Sequence, residues 1–225
     1  MQKTIDERRS RLIEWIEIIT KDLQDLLLDQ FIFSELQKIV QQNPQFARSP
    51  GLFTQWMASG FAQATAVGIR RHAKKDESSI SLMRFLIKVK NNPELITRQY
   101  YTGLYRDIDA PILIGQNDFD DIAGTGNDRL PISLIEQHID DLQRSVHAVE
   151  KYVDKRIAHY DIKAPVVPPP NFGDLIAALE TMERLVILYT RLLTGKGYSR
   201  LLPTIQFDWT SIFRFAWIAQ SNLHD

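Results

Sequence analysis

Three side chains that can act on a phosphodiester share one edge of a predicted helix. Tyr152, Arg156 and His159 follow one another at spacings of four and three residues, and at about 100° per residue this places them on one flank. A histidine transfers protons near neutral pH, and an arginine holds a phosphate through a planar fork of N–H donors. With Lys155 nearby, the group predicts phosphodiester cleavage or nucleotide binding.

The same residues also fit a purely structural role. Lys155, Arg156 and His159 come at the predicted end of the helix, where cations are stabilised by the partial negative charge of the last carbonyl groups. Tyr152 would then only seal the edge of the core. The cluster around Arg70 at the end of an earlier helix has the same alternative explanation. The residue pattern leaves both interpretations open.

Other kinds of site are not supported by the sequence. The chain has no cysteine and therefore no disulfide or thiolate metal site. Neither Gly124–Gly126 nor Gly195–Gly197 continues into the Gly-Lys-Ser/Thr ending of a phosphate loop. The run from Asp118 to Asp121 lacks the glycine and glutamate of an EF-hand, and the five histidines form no pair at metal-binding spacing. We therefore expect no metal and no cofactor.

The phrase at the end of the long helix resembles a known family signature. Asp154-Lys155-Arg156-Ile157-Ala158-His159-Tyr160-Asp161 is similar to the closing motif of the HEPN superfamily, and most similar to its abortive-infection AbiU-type branch. Upstream, Ile69-Arg70-Arg71, then Asp76 and Ser79-Ile80-Ser81-Leu82, resemble the same branch, in which an arginine pair ends one helix and a Ser-Leu phrase begins the next. Together with the order of the helices, the resemblance covers most of the chain.

The resemblance implies a metal-independent endoribonuclease of the phage-defence or toxin type, with its site in a cleft between two protomers. His159 would then be the general acid/base, Arg156 would hold the phosphate, and Asp154 and Asp161 would orient side chains. The residues expected to bind substrate are Arg70, Arg71, Tyr152, Lys155 and Asp161. The implied partners are RNA, a second copy of the chain, and a cognate antitoxin or another protein of a defence operon.

One position departs from the family pattern. Aligned on His159, the motif arginine falls at Val153, while Asp154 keeps the polar position. A guanidinium from Arg156, Arg70 or Arg71 would have to replace it. The alternative is a catalytically inactive module of the same fold that binds or regulates a partner.

Helical periodicity predicts the elements that position these residues. Helices are expected over Ile5–Gln42, Ser49 to about Lys74, Ile80 to about Lys90, Glu94–Tyr105, Ser133–Tyr160, Asp174–Leu193 and Thr210–Gln220. The second helix carries an apolar series at Phe53, Trp56, Met57, Phe61, Ala64 and Val67.

Between these helices, residues 107–131 are expected to form a long irregular loop with a short strand at 110–114, and Pro165 to Pro170 a stiff linker. The order of elements predicts an all-α antiparallel helical bundle, and the resemblance implies that the bundle is of the HEPN type. It would be one domain over residues 1–225 with extra N- and C-terminal helices.

Composition limits the broader class. The 225 residues include 44% hydrophobic and 24% charged residues, with 27 basic and 28 acidic side chains, which is ordinary for a globular protein. The net charge of −1 gives no global reason to expect nucleic-acid binding. No secretory signal and no apolar run of about 20 residues occurs. A soluble cytoplasmic protein without membrane contact is therefore expected.

Overall fold

The computed structural model describes residues 4–43, 51–105, 112–154 and 170–215. Its helices are α1 (Ile5–Gln42), α2 (Leu52–Ala73), α3 (Leu82–Asn91), α4 (Arg98–Gly103), α5 (Ile112–Ala123), α6 (Ile132–Tyr152) and α7 (Phe172–Thr194). Short 3₁₀ turns cover Pro93–Leu95 and Trp209–Arg214. Within these ranges the chain forms no strand, so the predicted all-α class is confirmed. No helix there combines the length and apolar character needed to cross a membrane.

Local polar contacts fix where two of the long helices begin. At the start of α1, the Glu7 backbone N–H donates to Thr4 Oγ1 at 3.2 Å, and the Thr4 N–H donates to the Glu7 carboxylate at 2.9 Å. Asn171 and Asp174 form the same reciprocal cap at the start of α7. Such pairs satisfy N–H groups that the first turn leaves free. Gly195, with φ of 71°, ends α7 in the left-handed conformation that favours glycine.

Helix α7 lies at the centre of the bundle. It packs against α1, α2 and α6, while α3 packs against α6 and α1. Its buried positions recur at helical spacing, and they are Leu175, Ala178, Leu179, Met182, Leu185, Val186, Tyr189, Leu192 and Leu193. The inward positions predicted for α3, Leu82, Phe85, Leu86 and Val89, are all buried as well.

The fully buried residues of α2 are not those of its apolar series. Phe53 and Trp56 are 56% and 70% exposed, whereas the buried face consists mainly of small and polar residues. Its members are Thr65, Ala66, Gly68, Ile69, His72 and Ala73. The reason is the close approach of α1, because a Cβ added at Gly68 would lie 2.5 Å from Leu26 Cδ2. Only small side chains allow that approach.

The predicted irregular loop contains a helix. Ile112, Leu113 and Ile114, expected in a strand, instead begin α5, which extends to Ala123. Phe119 fills the core, while Asp118 accepts hydrogen bonds from Tyr101, Tyr105 and Arg191. Hydropathy did not indicate this helix, because a polar network as well as an apolar face attaches it to the bundle.

Several predicted boundaries shift or lie outside the described residues. Ser81 caps α3 by accepting from the Arg84 N–H, so that helix begins at Leu82 rather than Ile80. Helix α6 ends at Tyr152, and a π-helical turn continues through Val153 and Asp154. The predicted helix end at 155–160, the linker at 165–169, Ser49-Pro50 and residues 216–220 fall outside the described ranges.

Candidate functional site

Half of the predicted site residues lie in the part of the chain that the structure describes. These are Asp154, Arg70, Arg71 and Tyr152. The other half follow directly after α6 and lie outside the described residues: His159, Arg156, Lys155 and Asp161. The geometry available is therefore that of the junction where α2 and α6 end.

Arg70 and Asp154 meet at this junction. The Arg70 Nε–H donates to Asp154 Oδ1, and the two residues are 84 positions apart in the chain. Their side chains are 25% and 44% exposed, so the ion pair lies at the surface where solvent or a ligand can reach it. The fold thus joins two residues that were assigned to the site from separate motifs.

Val153 occupies the position where the resemblance would place an arginine. Its side chain is only 3% exposed and belongs to the core. An arginine at this position would have to bury a charge, which is costly without a partner. Arg70 instead brings a guanidinium from α2 to the next residue, Asp154.

Arg71 is directed to α1 rather than α6. Its Nη2 lies 2.6 Å from Asp22 Oδ2, and His72 Nε2 lies 2.7 Å from the same oxygen. His72 is 3% exposed, and neither ring nitrogen has a well-aligned hydrogen bond to the described residues. Burial opposes ionisation of Asp22, but His72 and Arg71 outweigh it and lower the pKa of its carboxyl. Arg71 therefore ties α2 to α1.

A shallow groove adjoins the Arg70–Asp154 pair between α2 and α6. We call it the α2–α6 groove, and the side chains that line it include Lys74, Lys75, Met83, Gln143, His147 and Glu150. Burial and the nearby Asp154 carboxylate raise the pKa of Glu150, although Arg70, Lys75 and His147 act in the opposite direction. The groove therefore holds a carboxyl group that gives up its proton less readily than a free glutamate.

The predicted site did not include the residues of α6 that precede the motif and line the α2–α6 groove. His147, Glu150 and Asp154 are separated by three and four residues, the spacing of neighbours on one helix face. That regularity was visible in the sequence. The partners across the groove, Lys74 and Lys75, were assigned only to helix stabilisation.

The arrangement suits proton transfer beside a bound anion. His147 is exposed, and its imidazole nitrogens can donate or accept a proton. Lys75 makes no ion pair with another described residue, so its charge is available to a ligand. Among the described residues, no group of three or more histidine or acidic side chains is placed to hold a metal ion.

Comparisons with known proteins give no further assignment. The chain matches no protein-family model, no curated protein and no solved structure.

Proposed function

We propose that the chain is an RNA-directed protein of the HEPN type that acts as a metal-independent endoribonuclease in defence or as a toxin. The observation that carries the proposal is the contact between Arg70 and Asp154. It brings a guanidinium to the end of α6, where the sequence motif lacks its arginine at Val153. With Arg70 included, the region of the motif would contain a histidine, a guanidinium and a carboxylate, which are the groups that the proposed reaction uses.

In the proposed reaction, His159 takes the proton of a ribose 2′-hydroxyl. The 2′-oxygen then attacks phosphorus, and the bond from phosphorus to the 5′-oxygen breaks. The leaving 5′-oxygen takes a proton from water while protonated His159 returns its proton to water, so the products are a cyclic phosphate and a 5′-hydroxyl end and His159 is regenerated. Arg70, together with Arg156, would stabilise the negative charge that develops on the phosphoryl oxygens, while Asp154 orients Arg70.

The α2–α6 groove would hold the RNA next to this centre. Lys75 lies on the groove, and its ammonium group is suited to a backbone phosphate as a point charge. Tyr152, half-buried at the end of α6, would pack against a neighbouring nucleotide. We further propose that two copies of the chain associate through the face that bears His159, and that a cognate antitoxin or another protein of a defence operon is a further partner.

Cleavage of RNA by the purified protein in the presence of EDTA tests the proposal. We expect the His159→Ala variant to cleave at least about 100-fold more slowly than wild type, the size of a typical general acid–base contribution. His224→Ala, a histidine change outside the motif, is the matched control and should keep full activity. Equal cleavage by wild type and His159→Ala would refute the assignment of His159.

A second candidate function follows from the ion pairs. Asp154 neutralises Arg70 and Asp22 neutralises Arg71, so the two arginines of α2 that were predicted to bind substrate already have carboxylate partners. This favours a catalytically inactive module that binds or regulates a partner. It predicts that folded wild-type protein leaves RNA intact across varied substrates, yet associates with a product of its own operon in a pull-down with purified components.

A further inference from the structure

A basic groove lies between α1 and α3, away from the motif. Its lining includes four cations, Arg8, Arg11, Arg84 and Lys88, and one carboxylate, Glu77. The indole ring of Trp15 forms part of its floor. We call this feature the Trp15 groove.

Two of the cations lie over the same aromatic ring. Arg84 Cζ is 5.1 Å and Lys88 Nζ is 5.0 Å from the centroid of the Trp15 ring. Each contact is favourable alone, but the two positive charges repel each other. The Arg84 guanidinium also donates to the backbone oxygen of Ser79, which carries no full charge. An anion between the cations would offset the repulsion.

The other cations leave the groove positive. Arg8 pairs with Glu94 at 3.0 Å, and Arg11 is exposed. Among the described residues, no ion pair joins Arg11, Arg84 or Lys88 to a carboxylate. Three of the four cations therefore form no ion pair within that part of the protein, and the nearest acidic groups are Glu77 in the lining and Asp76, whose carboxylate interacts electrostatically with Arg84.

The side chains that line the groove favour the binding of phosphate groups over apolar ligands. Its apolar members Leu12, Trp15 and Leu95 are only 3%, 8% and 2% exposed, so little surface is offered to lipid tails or an apolar peptide. Trp15 is buried, and Arg84 and Lys88 lie over its ring, so it offers a base little surface to stack on. Guanidinium groups match phosphate geometry. The groove therefore suits the backbone of a nucleic acid.

The two grooves flank one short connection. Lys75 lines the α2–α6 groove and Glu77 lines the Trp15 groove, and two residues of chain span at most about 7 Å. Met83 and Arg84 at the start of α3 also line one groove each. A single strand that crosses this connection can contact both.

We propose that the Trp15 groove is a second binding site for the phosphates of a single nucleic-acid strand that also occupies the α2–α6 groove. That the natural strand is RNA rests on the proposed function, whereas binding of phosphates by the groove does not. Because the site contacts phosphates and not base edges, it binds without regard to sequence. Since nothing in it distinguishes the 2′-hydroxyl, RNA and DNA strands bind alike.

The test measures binding of a short labelled strand, as RNA and as DNA of the same sequence, over a range of salt concentrations. The His159→Ala background with EDTA prevents cleavage. Arg11→Gln combined with Lys88→Gln is compared with Lys38→Gln combined with Arg144→Gln. The control pair removes the same charge from α1 and α6, where Lys38 and Arg144 already have carboxylate partners.

We expect the groove variant to bind both strands several-fold more weakly. Its slope of log K against log salt should be shallower by about 1.4, or about 0.7 for each phosphate that the variant no longer neutralises, whereas the control pair should match the parent. Arg11→Gln alone, at an exposed position, should lower the slope by about 0.7 and keeps the test valid if the double variant folds poorly. Binding equal to that of the control pair, or a weakening confined to RNA, overturns the proposal. A cleavage result that refutes the role of His159 leaves this binding test intact.

Discussion

The α2–α6 junction and the Trp15 groove both concentrate basic side chains, but they differ in whether those side chains pair with carboxylates. At the junction, Asp154 pairs with Arg70 and Asp22 pairs with Arg71. In the groove, Arg11, Arg84 and Lys88 have no such partner among the described residues, and two of them share one aromatic ring. The two arginines of α2 that the sequence predicted to bind substrate are thus the neutralised ones.

The contrast separates two uses of a cation. An arginine held by a carboxylate is fixed in position, which suits a precise task beside a reacting phosphate. A cation without a partner is better suited to neutralising a backbone, because it gives up no ion pair when the phosphate arrives. We therefore assign orientation to the junction and affinity to the groove, and the following experiments test that division.

The largest effect is expected from removal of the Arg70 guanidinium. Arg70→Met should lower RNA cleavage by about 100- to 1,000-fold, the usual cost of removing one donor to a transition-state oxyanion. Binding of RNA should change far less, because Asp154 already neutralises Arg70. Single-turnover cleavage and equilibrium binding separate the two effects. Arg144→Met, at an exposed arginine of α6, is the control, and an equal decrease in it would point to general charge effects.

The Asp22 cluster should matter for folding. Asp22→Ala leaves the buried His72 and the neighbouring Arg71 without their carboxylate, so the free energy of unfolding should fall by about 1–3 kcal/mol. Urea denaturation measures this, with the exposed Asp25→Ala on the same helix as the control. The pKa of Asp22 lies below its usual 3.8. Its contribution should therefore persist above that value and disappear as the pH falls through the folded-state pKa.

Asp154→Asn should make the junction more like the Trp15 groove. Without the carboxylate, the charge of Arg70 becomes available to a phosphate, so RNA binding should tighten several-fold and its salt dependence steepen by about 0.7. Cleavage by this variant should nevertheless slow, because Asp154 orients Arg70. Asp121→Asn, an exposed aspartate of α5, controls for net charge. Unchanged binding would mean that Arg70 does not face the strand.

The smallest effect is expected at Glu150. Burial and Asp154 raise the pKa of its carboxyl, so the ionised form costs stability in the folded state. Glu150→Gln should therefore raise Tm at pH 7 by about 2 °C or less. The gain should shrink as the pH falls and vanish below the ordinary value of 4.5. Thermal unfolding at both pH values, with the exposed Glu180→Gln as control, checks this. A gain that persists at low pH would contradict the electrostatic explanation.

Local patterns predicted much of the helical framework. The bounds of α1 agree with the predicted Ile5–Gln42, because a long apolar repeat precedes an Asn-Pro stop. Helical periodicity also agrees with the burial on α6, where Ile135, Leu142, Val146 and Val149 are buried. Periodicity succeeds in such segments because burial follows the 3.6-residue repeat.

The same approach failed where packing is not governed by large apolar side chains. On α2 the large apolar side chains Phe53 and Trp56 are exposed. The close contact with α1 is made at Gly68 instead, where only a small residue fits. It missed α5, which a network around Asp118 helps to attach to the bundle. In both places the decisive partner belongs to another helix.

The sequence by itself determined that this protein forms helices, where most of them begin and end, and which residue types gather near the end of α6. Only the tertiary structure decided which carboxylate meets which arginine: Asp22 is 49 positions from Arg71, and Asp154 is 84 positions from Arg70. The reason is physical. Caps and periodicity are local properties of the backbone, whereas ion pairs between helices depend on how those helices cross, and neighbouring residues do not encode that crossing.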